Sequence, residues 1–237
     1  MQRLDGKVAI ITGGARGMGA AEGRLFAAEG ATVYLTDVLA EDGRLTAKDA
    51  DATFIEHDVT QPEQWRAVVD QVLAERGRID VLVNNAGVFR WADVIETTLE
   101  TWNQVLAVNQ TGVFLGMQSV APAMIDQSGG SIINISSVGG LSGSGPCFAY
   151  GATKWAVRGM TKGAAQTLGK HGIRVNSIHP GWIETPMTEG FPDLSGSIPL
   201  GRSAGPDEVA LQALWLASDE SRYSSGAEFI IDGGMTA

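Results

Sequence analysis

Residues 7–19 read Lys7-Val8-Ala9-Ile10-Ile11-Thr12-Gly13-Gly14-Ala15-Arg16-Gly17-Met18-Gly19, and a helix-forming run from Ala20 to Glu29 follows them. The continuous apolar run is typical of a buried parallel strand. Glycines between such a strand and a helix let the backbone approach a pyrophosphate, which the helix N-terminus attracts. The stretch therefore predicts a dinucleotide-binding unit; a purely structural turn is the alternative.

The rest of the chain repeats this alternation of strand and helix. Further strands are expected at Ala31–Thr36, Thr53–His57, Ile79–Val83, Ile132–Ile135, Ile173–His179 and Glu228–Ile231. Helices are expected from a capping box at Thr60 and Glu63 to about Arg76, from Thr97 or Thr98 toward Ile125, and from Pro206 to Ala217. No linker, repeat or low-complexity segment interrupts the order. We therefore predict an α/β fold with a doubly wound, parallel, seven-stranded sheet and helices on both faces, in one domain spanning 1–237.

Composition narrows the classes of partner. The 237 residues are 44% hydrophobic and carry a net charge of −10, which disfavours nucleic acid and anionic membrane surfaces. No apolar run reaches membrane-spanning length, and the N-terminus does not read as a signal peptide. The one cysteine, Cys147, fits a reducing compartment, so we expect a cytoplasmic protein. The three histidines lack ligand-like spacing, so no metal site is expected.

Tyr150-Gly151-Ala152-Thr153-Lys154 places a phenol and an ammonium four residues apart on one expected helix face. A nearby cation is expected to lower the pKa of Tyr150, whose free value is about 10. The strand ending in Ser136-Ser137 brings a hydroxyl to the same region. These groups can converge on one reacting oxygen, although a surface Tyr/Lys pair without function is the alternative.

Acidic residues at strand ends bear on the choice of cofactor. Asp37 lies about 20 positions beyond the glycine loop, where a carboxylate accepts hydrogen bonds from the adenosine ribose and repels a 2′-phosphate. NAD is therefore favoured over NADP, with Asp37 as a mere cap for the next segment as the alternative. Arg16 weakens the prediction because a loop arginine could bind a phosphate. Asp58 either contacts adenine or ends its strand.

Asn109 falls inside a predicted helix between apolar neighbours. Asparagine is unfavourable there and needs hydrogen-bond partners if it is buried. Its two interpretations are a local structural network and a polar group that serves a site.

Taken together, these motifs resemble those of the short-chain dehydrogenase/reductase family from about Lys7 to Gly234. The residues that carry the resemblance are Thr12-Gly13-x-x-x-Gly17-x-Gly19, Asp58-Val59, Asn84-Asn85-Ala86-Gly87, Asn109, Ser137, Tyr150-x-x-x-Lys154 and Pro180-Gly181. The resemblance implies a Rossmann-like fold, and Asp37 makes NAD the expected cofactor. It implies Tyr150 as general acid/base, Ser137 orienting the substrate oxygen, Lys154 binding the nicotinamide ribose, and Asn109 holding a water in a proton relay.

The resemblance also implies a cofactor-binding set along the edge of the sheet. Ile183 and Thr185 would hold the carboxamide. The whole set is Gly13, Arg16, Gly17, Met18, Gly19, Asp37, Asp58, Val59, Asn85, Ala86, Gly87, Tyr150, Lys154, Pro180, Gly181, Ile183 and Thr185.

The implied reaction is reversible hydride transfer between NAD(H) and a secondary alcohol or its ketone. The chain is similar to the family's bacterial hydroxysteroid and secondary-alcohol dehydrogenases. Two alternatives are a 3-oxoacyl carrier-protein reductase and a non-catalytic NAD-sensing module.

The segment from about 182 to 205 is expected to form a substrate lid. It supplies Trp182, Ile183, Met187, Phe191, Leu194 and Ile198, and we add Trp91, Cys147 and Phe148 as further wall residues. No Lys or Arg occurs between Val175 and Gly201, whereas Glu184, Glu189 and Asp193 do, so an uncharged, largely apolar substrate is expected. The alternative is that these apolar residues pack the lid onto the domain or onto a neighbouring subunit and leave a small polar pocket.

Small residues on the Tyr150 helix indicate assembly. Ala152, Ala156, Gly159 and Gly163 form a stripe at helical spacing that allows another helix to approach closely. By resemblance we expect a homotetramer; packing of the stripe against the chain's own neighbouring helix is the alternative.

Overall fold

In the computed structural model, which describes residues 2–192 and 195–237, the apolar run at the start of the chain becomes an inner strand of a parallel sheet. The described residues form seven strands: β1 Val8–Thr12, β2 Thr32–Asp37, β3 Thr53–Glu56, β4 Val81–Asn84, β5 Gly130–Ile135, β6 Ile173–Pro180 and β7 Glu228–Ile231. Their order is β3-β2-β1-β4-β5-β6-β7, and every pairing is parallel. The chain reverses its direction of sheet growth between β1 and β4, and the carboxyl edge at such a point is where ligands bind.

Helices cover both faces of the sheet. They are α1 Gly17–Ala28, α2 Ala40–Asp49, α3 Pro62–Arg76, α4 Leu99–Leu106, α5 Gly112–Asp126, α6 Phe148–Leu168 and α7 Pro206–Ala217. Side chains of β1 alternate between two cores: Val8 and Ile10 pack with α3, α5 and α6, whereas Ala9 and Ile11 pack with α1 and α7. The predicted doubly wound sheet in one domain is confirmed.

The long helix predicted toward Ile125 is interrupted. It begins at N-cap Thr98, whose side chain accepts a hydrogen bond from the Thr101 amide, as expected. Between α4 and α5, residues 107–111 form a π-helical segment that contains Asn109. Such segments are rare and frequent at functional sites.

The predicted capping box at Thr60 is wrong. The N-cap of α3 is Gln61, and the Thr60 hydroxyl instead donates to Asp58 Oδ1 at 2.8 Å. The Asp58 carboxylate also accepts from the Thr60 amide, so a local turn takes the hydroxyl that would have capped the helix. Helix α2 has no counterpart among the predicted helices: Gly43 in its first turn is unfavourable in a helix, whereas the acidic Glu41 and Asp42 beside it are typical of a helix start.

None of the helices among the described residues combines the length and apolar character that crossing a membrane requires.

Candidate active site

A cleft of about 280 Å³ opens at the carboxyl edge of the sheet, between the loops after β1, β4, β5 and β6. Most of the predicted site residues meet there. Those lining it are Met18, Asn85, Gly87, Trp91, Ser137, Cys147, Tyr150, Lys154, Pro180, Gly181, Trp182, Ile183, Thr185, Met187 and Phe191.

Ser137, Tyr150 and Lys154 come together on one wall. Ser137 lies just beyond β5; its hydroxyl is hydrogen-bonded to Tyr150 and accepts from the Gly139 amide at 3.1 Å. Lys154 Nζ lies 5.4 Å from the centre of the Tyr150 ring, one helical turn away. The shared helix face inferred from the four-residue spacing is therefore observed.

The expected lowering of the Tyr150 pKa is not observed. Burial raises the pKa of Tyr150 to about 12, and the hydrogen bond with Ser137 acts in the opposite direction. Burial lowers the pKa of Lys154 to about 8, and Nζ donates to the Ile135 carbonyl oxygen at 2.8 Å. The expectation was wrong because desolvation of the buried phenol dominates its pKa, and the charge of Lys154 is not among the effects that lower it. Tyr150 therefore carries its proton at neutral pH.

Ser136, the neighbouring hydroxyl, has a structural role. Its Oγ donates to the Lys154 carbonyl oxygen at 2.9 Å, and the side chain is buried. This bond fastens α6 to the end of β5. Ser137 is therefore the serine whose hydroxyl is available to the cleft.

The glycine loop is built to bring backbone close to backbone. Gly13 has φ +66°, and a Cβ there would lie 2.8 Å from Ala86 Cα; a Cβ on Gly19 would lie 2.3 Å from the Gly13 carbonyl oxygen. Asn85 Nδ2 donates to the Thr12 and Gly13 carbonyl oxygens at 2.9 and 3.1 Å. The loop is thus held against β4 with the amides of the first turn of α1 at its tip. That turn contains no acidic residue, so it fits a pyrophosphate.

Asp37 stands at the end of β2 beside this loop. Its carboxylate oxygens accept from the Ala15 amide at 3.1 Å and the Leu39 amide at 3.0 Å. Arg16 is ion-paired at 2.5 Å with Asp42 of α2. The positive charge that weakened the NAD prediction is therefore already matched by a carboxylate within the chain.

Asp58 and Val59 lie at the end of β3. The Asp58 carboxylate closes the Thr60 turn, which agrees with the strand-ending interpretation and leaves its contact with adenine an expectation. Val59 is buried, and its side chain fits against Gly112, where a Cβ would approach to 2.9 Å.

Asn109 is fully buried and joins the helix to the loop after β4. Its Oδ1 accepts from the Val88 amide at 2.8 Å, and its Nδ2 donates to the Val88 carbonyl oxygen at 2.9 Å. These bonds satisfy the local-network interpretation. Both Asn109 Oδ1 and Lys154 Nζ lie beside Gly87. A Cβ on Gly87 would be 3.5 Å from Asn109 Oδ1 and 3.8 Å from Lys154 Nζ.

Comparison with known proteins places this geometry in a family. A family profile described as enoyl-(acyl carrier protein) reductase matches residues 13–236. A 3-alpha-(or 20-beta)-hydroxysteroid dehydrogenase of Mycobacterium tuberculosis is 52% identical over 237 residues, covering 99% of this chain and 91% of the relative. A trans-4-hydroxycyclohexanecarboxylate dehydrogenase of Sinomonas cyclohexanicum is 46% identical over 99% of this chain and 95% of its own.

A crystal structure of a short-chain type dehydrogenase/reductase from Mycobacterium marinum superposes with a TM-score of 0.96 at 37% identity, covering 100% of this chain and 98% of that one. The chain belongs to the short-chain dehydrogenase/reductase family. It is an enzyme, an oxidoreductase of the kind that uses a nicotinamide cofactor.

Aromatic rings form one wall of the cleft of this dehydrogenase, next to Tyr150 of α6. Phe89 lies 5.0 Å from the Tyr150 ring, 5.5 Å from Phe191 and 6.0 Å from Trp91, all between ring centres. Phe191 also stacks on Trp91 at 5.6 Å and meets Trp182 at 6.0 Å. The predicted rings are therefore brought together, with Phe89 at their centre.

No sequence motif pointed to Phe89. It follows Gly87 by two residues and precedes Trp91 by two, so alternation along an extended chain would have placed both aromatic rings on one side. Met235, near the C-terminus, also lines the cleft, and no motif pointed to it.

Phe148 does not line the cleft of this dehydrogenase, contrary to expectation. It is the first residue of α6, 40% exposed, and its ring packs near Trp102 at 5.9 Å. Its neighbour Cys147 does face the cleft. Cys147 is the N-cap of α6 and its backbone is not helical, and the Phe148 side chain that follows packs toward Trp102 of α4.

Parts of the predicted lid serve other contacts. Ile198 is buried against Gly233, where a Cβ would lie 2.6 Å from its Cγ2, so it packs the segment onto the domain. Thr185 lies over the glycine loop, since a Cβ on Gly17 would be 3.3 Å from its side chain. Asp193 and Leu194 lie outside the described residues.

Proposed function

We propose that this enzyme interconverts uncharged, largely apolar secondary alcohols and their ketones with NAD(H) as cofactor. The observation that carries the proposal is the aromatic wall that lines the same cleft as Tyr150 and Ser137, with Phe89 in edge contact with the Tyr150 ring. The similarity to dehydrogenases of a hydroxysteroid and of a hydroxylated cyclohexane ring supports a cyclic or steroid-like substrate.

The chain's own residues account for the proton transfer. Tyr150 holds its proton at neutral pH and donates it to the ketone oxygen in reduction, which leaves a phenolate. Oxidation is the reverse: Tyr150 first releases its own proton to solvent, and the phenolate then accepts the proton of the alcohol. Ser137, hydrogen-bonded to Tyr150, holds the same substrate oxygen in place. Lys154 lies beside the Tyr150 ring, where its charge stabilises the phenolate that forms. Bound NAD(H) supplies the hydride acceptor or donor.

NAD is proposed over NADP because of the charges around the ribose site. Asp37 would repel a 2′-phosphate, and Asp42 pairs with Arg16, the cation that could have bound one. The test is the ratio of kcat/KM for the two cofactors, and a preference for NADP would refute this part of the proposal.

The cleft disfavours anionic substrates. Lys154 is the only ionised side chain among the described residues that line it, and its ammonium is already bound to the Ile135 carbonyl. A carboxylate buried there would lack a partner of its own. A relative is named as a dehydrogenase of trans-4-hydroxycyclohexanecarboxylate, whose name includes a carboxylate. Whether this enzyme accepts a ring with a carboxylate is therefore a direct test of the proposal.

The deciding experiment compares kcat/KM for a bulky apolar cyclic ketone, for the same ring bearing a carboxylate, for a 2-oxo acid of similar size and for a sugar. The apolar ketone is expected to have the highest value. If the carboxylate, the oxo acid or the sugar has a higher value, the substrate class is wrong, although the reaction class stands.

A 3-oxoacyl carrier-protein reductase is the second candidate, and the printed description of the matching family profile names a carrier-protein reductase. Carrier proteins are acidic, however, and a net charge of −10 does not favour their docking. Turnover of a 3-oxoacyl thioester with kcat/KM above that of the cyclic ketone would favour it. A sensing module without catalysis would not need Ser137, Tyr150 and Lys154 in one cleft.

We further propose that residues 182–205 act as the lid and that the enzyme is a cytoplasmic homotetramer. A Cβ on Gly159 or Gly163 would meet no atom within 4 Å, so this part of the small-residue stripe faces away from the described chain. That supports close approach by a second copy over packing within the chain. Light scattering that shows a monomer at micromolar concentration would refute the assembly.

A further inference from the structure

A buried histidine stands directly behind Ser137. His179 lies near the end of β6 and is completely buried. Its Nδ1 is 3.1 Å from the Ser137 carbonyl oxygen, and its Nε2 is 2.9 Å from Ser177 Oγ. Both ring nitrogens therefore have a partner inside the protein.

The partners determine which nitrogen carries the proton. Burial lowers the pKa of His179, so the ring is neutral at pH 7. A neutral imidazole has one donor and one acceptor, and a carbonyl oxygen can only accept. Nδ1 therefore donates to Ser137, and Nε2 accepts from the Ser177 hydroxyl.

The bond to His179 ties Ser137 to the sheet. β5 ends at Ile135, and the last backbone bond toward β6 runs from the Ser136 amide to the Ile178 carbonyl oxygen at 2.8 Å. Beyond that point Ser137 enters a short turn, in which its carbonyl accepts from the Gly140 amide at 2.9 Å. That turn moves with the serine, whereas His179 belongs to the neighbouring strand.

We propose that His179 is a positioning residue that holds Ser137 so that its hydroxyl stays against Tyr150. The inference rests on the roles proposed above for Ser137 and Tyr150. The Ser137 hydrogen bond acts to lower the pKa of Tyr150 against the effect of burial. Without the His179 donor, Ser137 loses its bond to β6 and its hydroxyl moves away from Tyr150. Because that hydroxyl no longer lowers the pKa of Tyr150, Tyr150 becomes a weaker acid.

Two variants of His179 with amide side chains, His179→Asn and His179→Gln, test the positioning role. In His179→Asn the side-chain NH₂ stands near the place of Nδ1 and can still donate to Ser137. In His179→Gln the amide reaches toward the place of Nε2 and Ser177 instead. Both variants are neutral and polar, and they differ in where the amide group stands.

We expect His179→Gln to lower kcat for alcohol oxidation about 10- to 100-fold, the loss that a misplacement of about 1 Å can produce. NADH binding, measured by fluorescence titration, should stay unchanged, and His179→Asn should keep kcat within about 3-fold. The acidic limb of the pH profile for oxidation should move to higher pH in Gln and not in Asn. The charges acting on His179 are those of Glu228, Arg158 and Lys154, and both variants retain them.

A double-mutant cycle separates this inference from the proposed function. Ser137→Ala alone should lower kcat strongly; wild-type kcat in that variant would overturn the proposed role of Ser137 and the inference with it. In the Ser137→Ala background, Asn and Gln at 179 should have equal rates, because the group that His179 positions is gone.

The role of His179 is refuted, and the proposed function is not, if two results are found together. Ser137→Ala lowers kcat, and His179→Asn and His179→Gln have equal kcat when Ser137 is intact. The role of His179 is also refuted if the difference between the two variants persists without Ser137. A His179→Gln protein that no longer binds NADH would assign His179 a general structural role and would equally overturn the inference.

Discussion

Glu22 provides a direct test of burial, because it lies in α1 completely shielded from solvent and neither of its carboxylate oxygens has a hydrogen-bond partner among the described residues. Burial raises the pKa of Glu22 from 4.5 to about 8. The folded protein therefore holds a proton that the unfolded chain releases above pH 4.5. Folding stability must fall as pH rises through this window, and the loss is complete above pH 8.

The magnitude follows from the two pKa values. Each pKa unit corresponds to about 1.4 kcal/mol. Raising the pH from 4.5 to about 7 therefore removes about 3 kcal/mol of unfolding free energy, and the whole shift to about 8 corresponds to about 5 kcal/mol. Glu22→Gln has nearly the same shape and no titrating proton, so it should be equal to wild type near pH 4.5 and more stable by about 3 kcal/mol near pH 7.

The assay is urea unfolding followed by tryptophan fluorescence at several pH values and one protein concentration, since assembly adds to stability. Glu96→Gln, the same change on an exposed side chain, is the control and should show no pH-dependent difference. A Glu22→Gln stability difference that does not grow with pH would falsify the assignment of a buried, protonated Glu22.

The other predictions concern the site. Tyr150→Phe should lower kcat at least about 100-fold while NADH still binds, because only the hydroxyl carries the proton; a rate above a few percent of wild type would contradict this. Asp42→Asn should free Arg16 and raise the NADP/NAD ratio of kcat/KM about 2- to 5-fold, the range of an exposed ion pair, so an unchanged ratio would show that Arg16 is not restrained by Asp42. Phe89→Ala should lower kcat/KM for a bulky apolar ketone about 10-fold or more and spare a small linear ketone; equal losses for both would place Phe89 outside the substrate wall.

Patterns between neighbouring residues in the sequence were enough to predict the fold and the residues at the centre of the site. The apolar run before Gly13 predicts β1 because a strand covered on both faces needs apolar residues at every position, and Ala9 and Ile10 do pack into opposite cores. Glycines at the turn and the four-residue spacing of Tyr150 and Lys154 express short-range geometry. Such features can be inferred without knowing what lies across the sheet.

Residues distant along the chain but close in space decided the rest. The burial of Glu22, the pairing of Arg16 with Asp42 and the contact of His179 with Ser137 depend on which elements pack together, and the last pair is separated by 42 residues. Desolvation likewise set the pKa of Tyr150 against the direction that its lysine neighbour predicted. Strand and helix patterns determine which face of an element is apolar, whereas the partners of a buried polar group, and the free energy of burying it, exist only once the chain has folded.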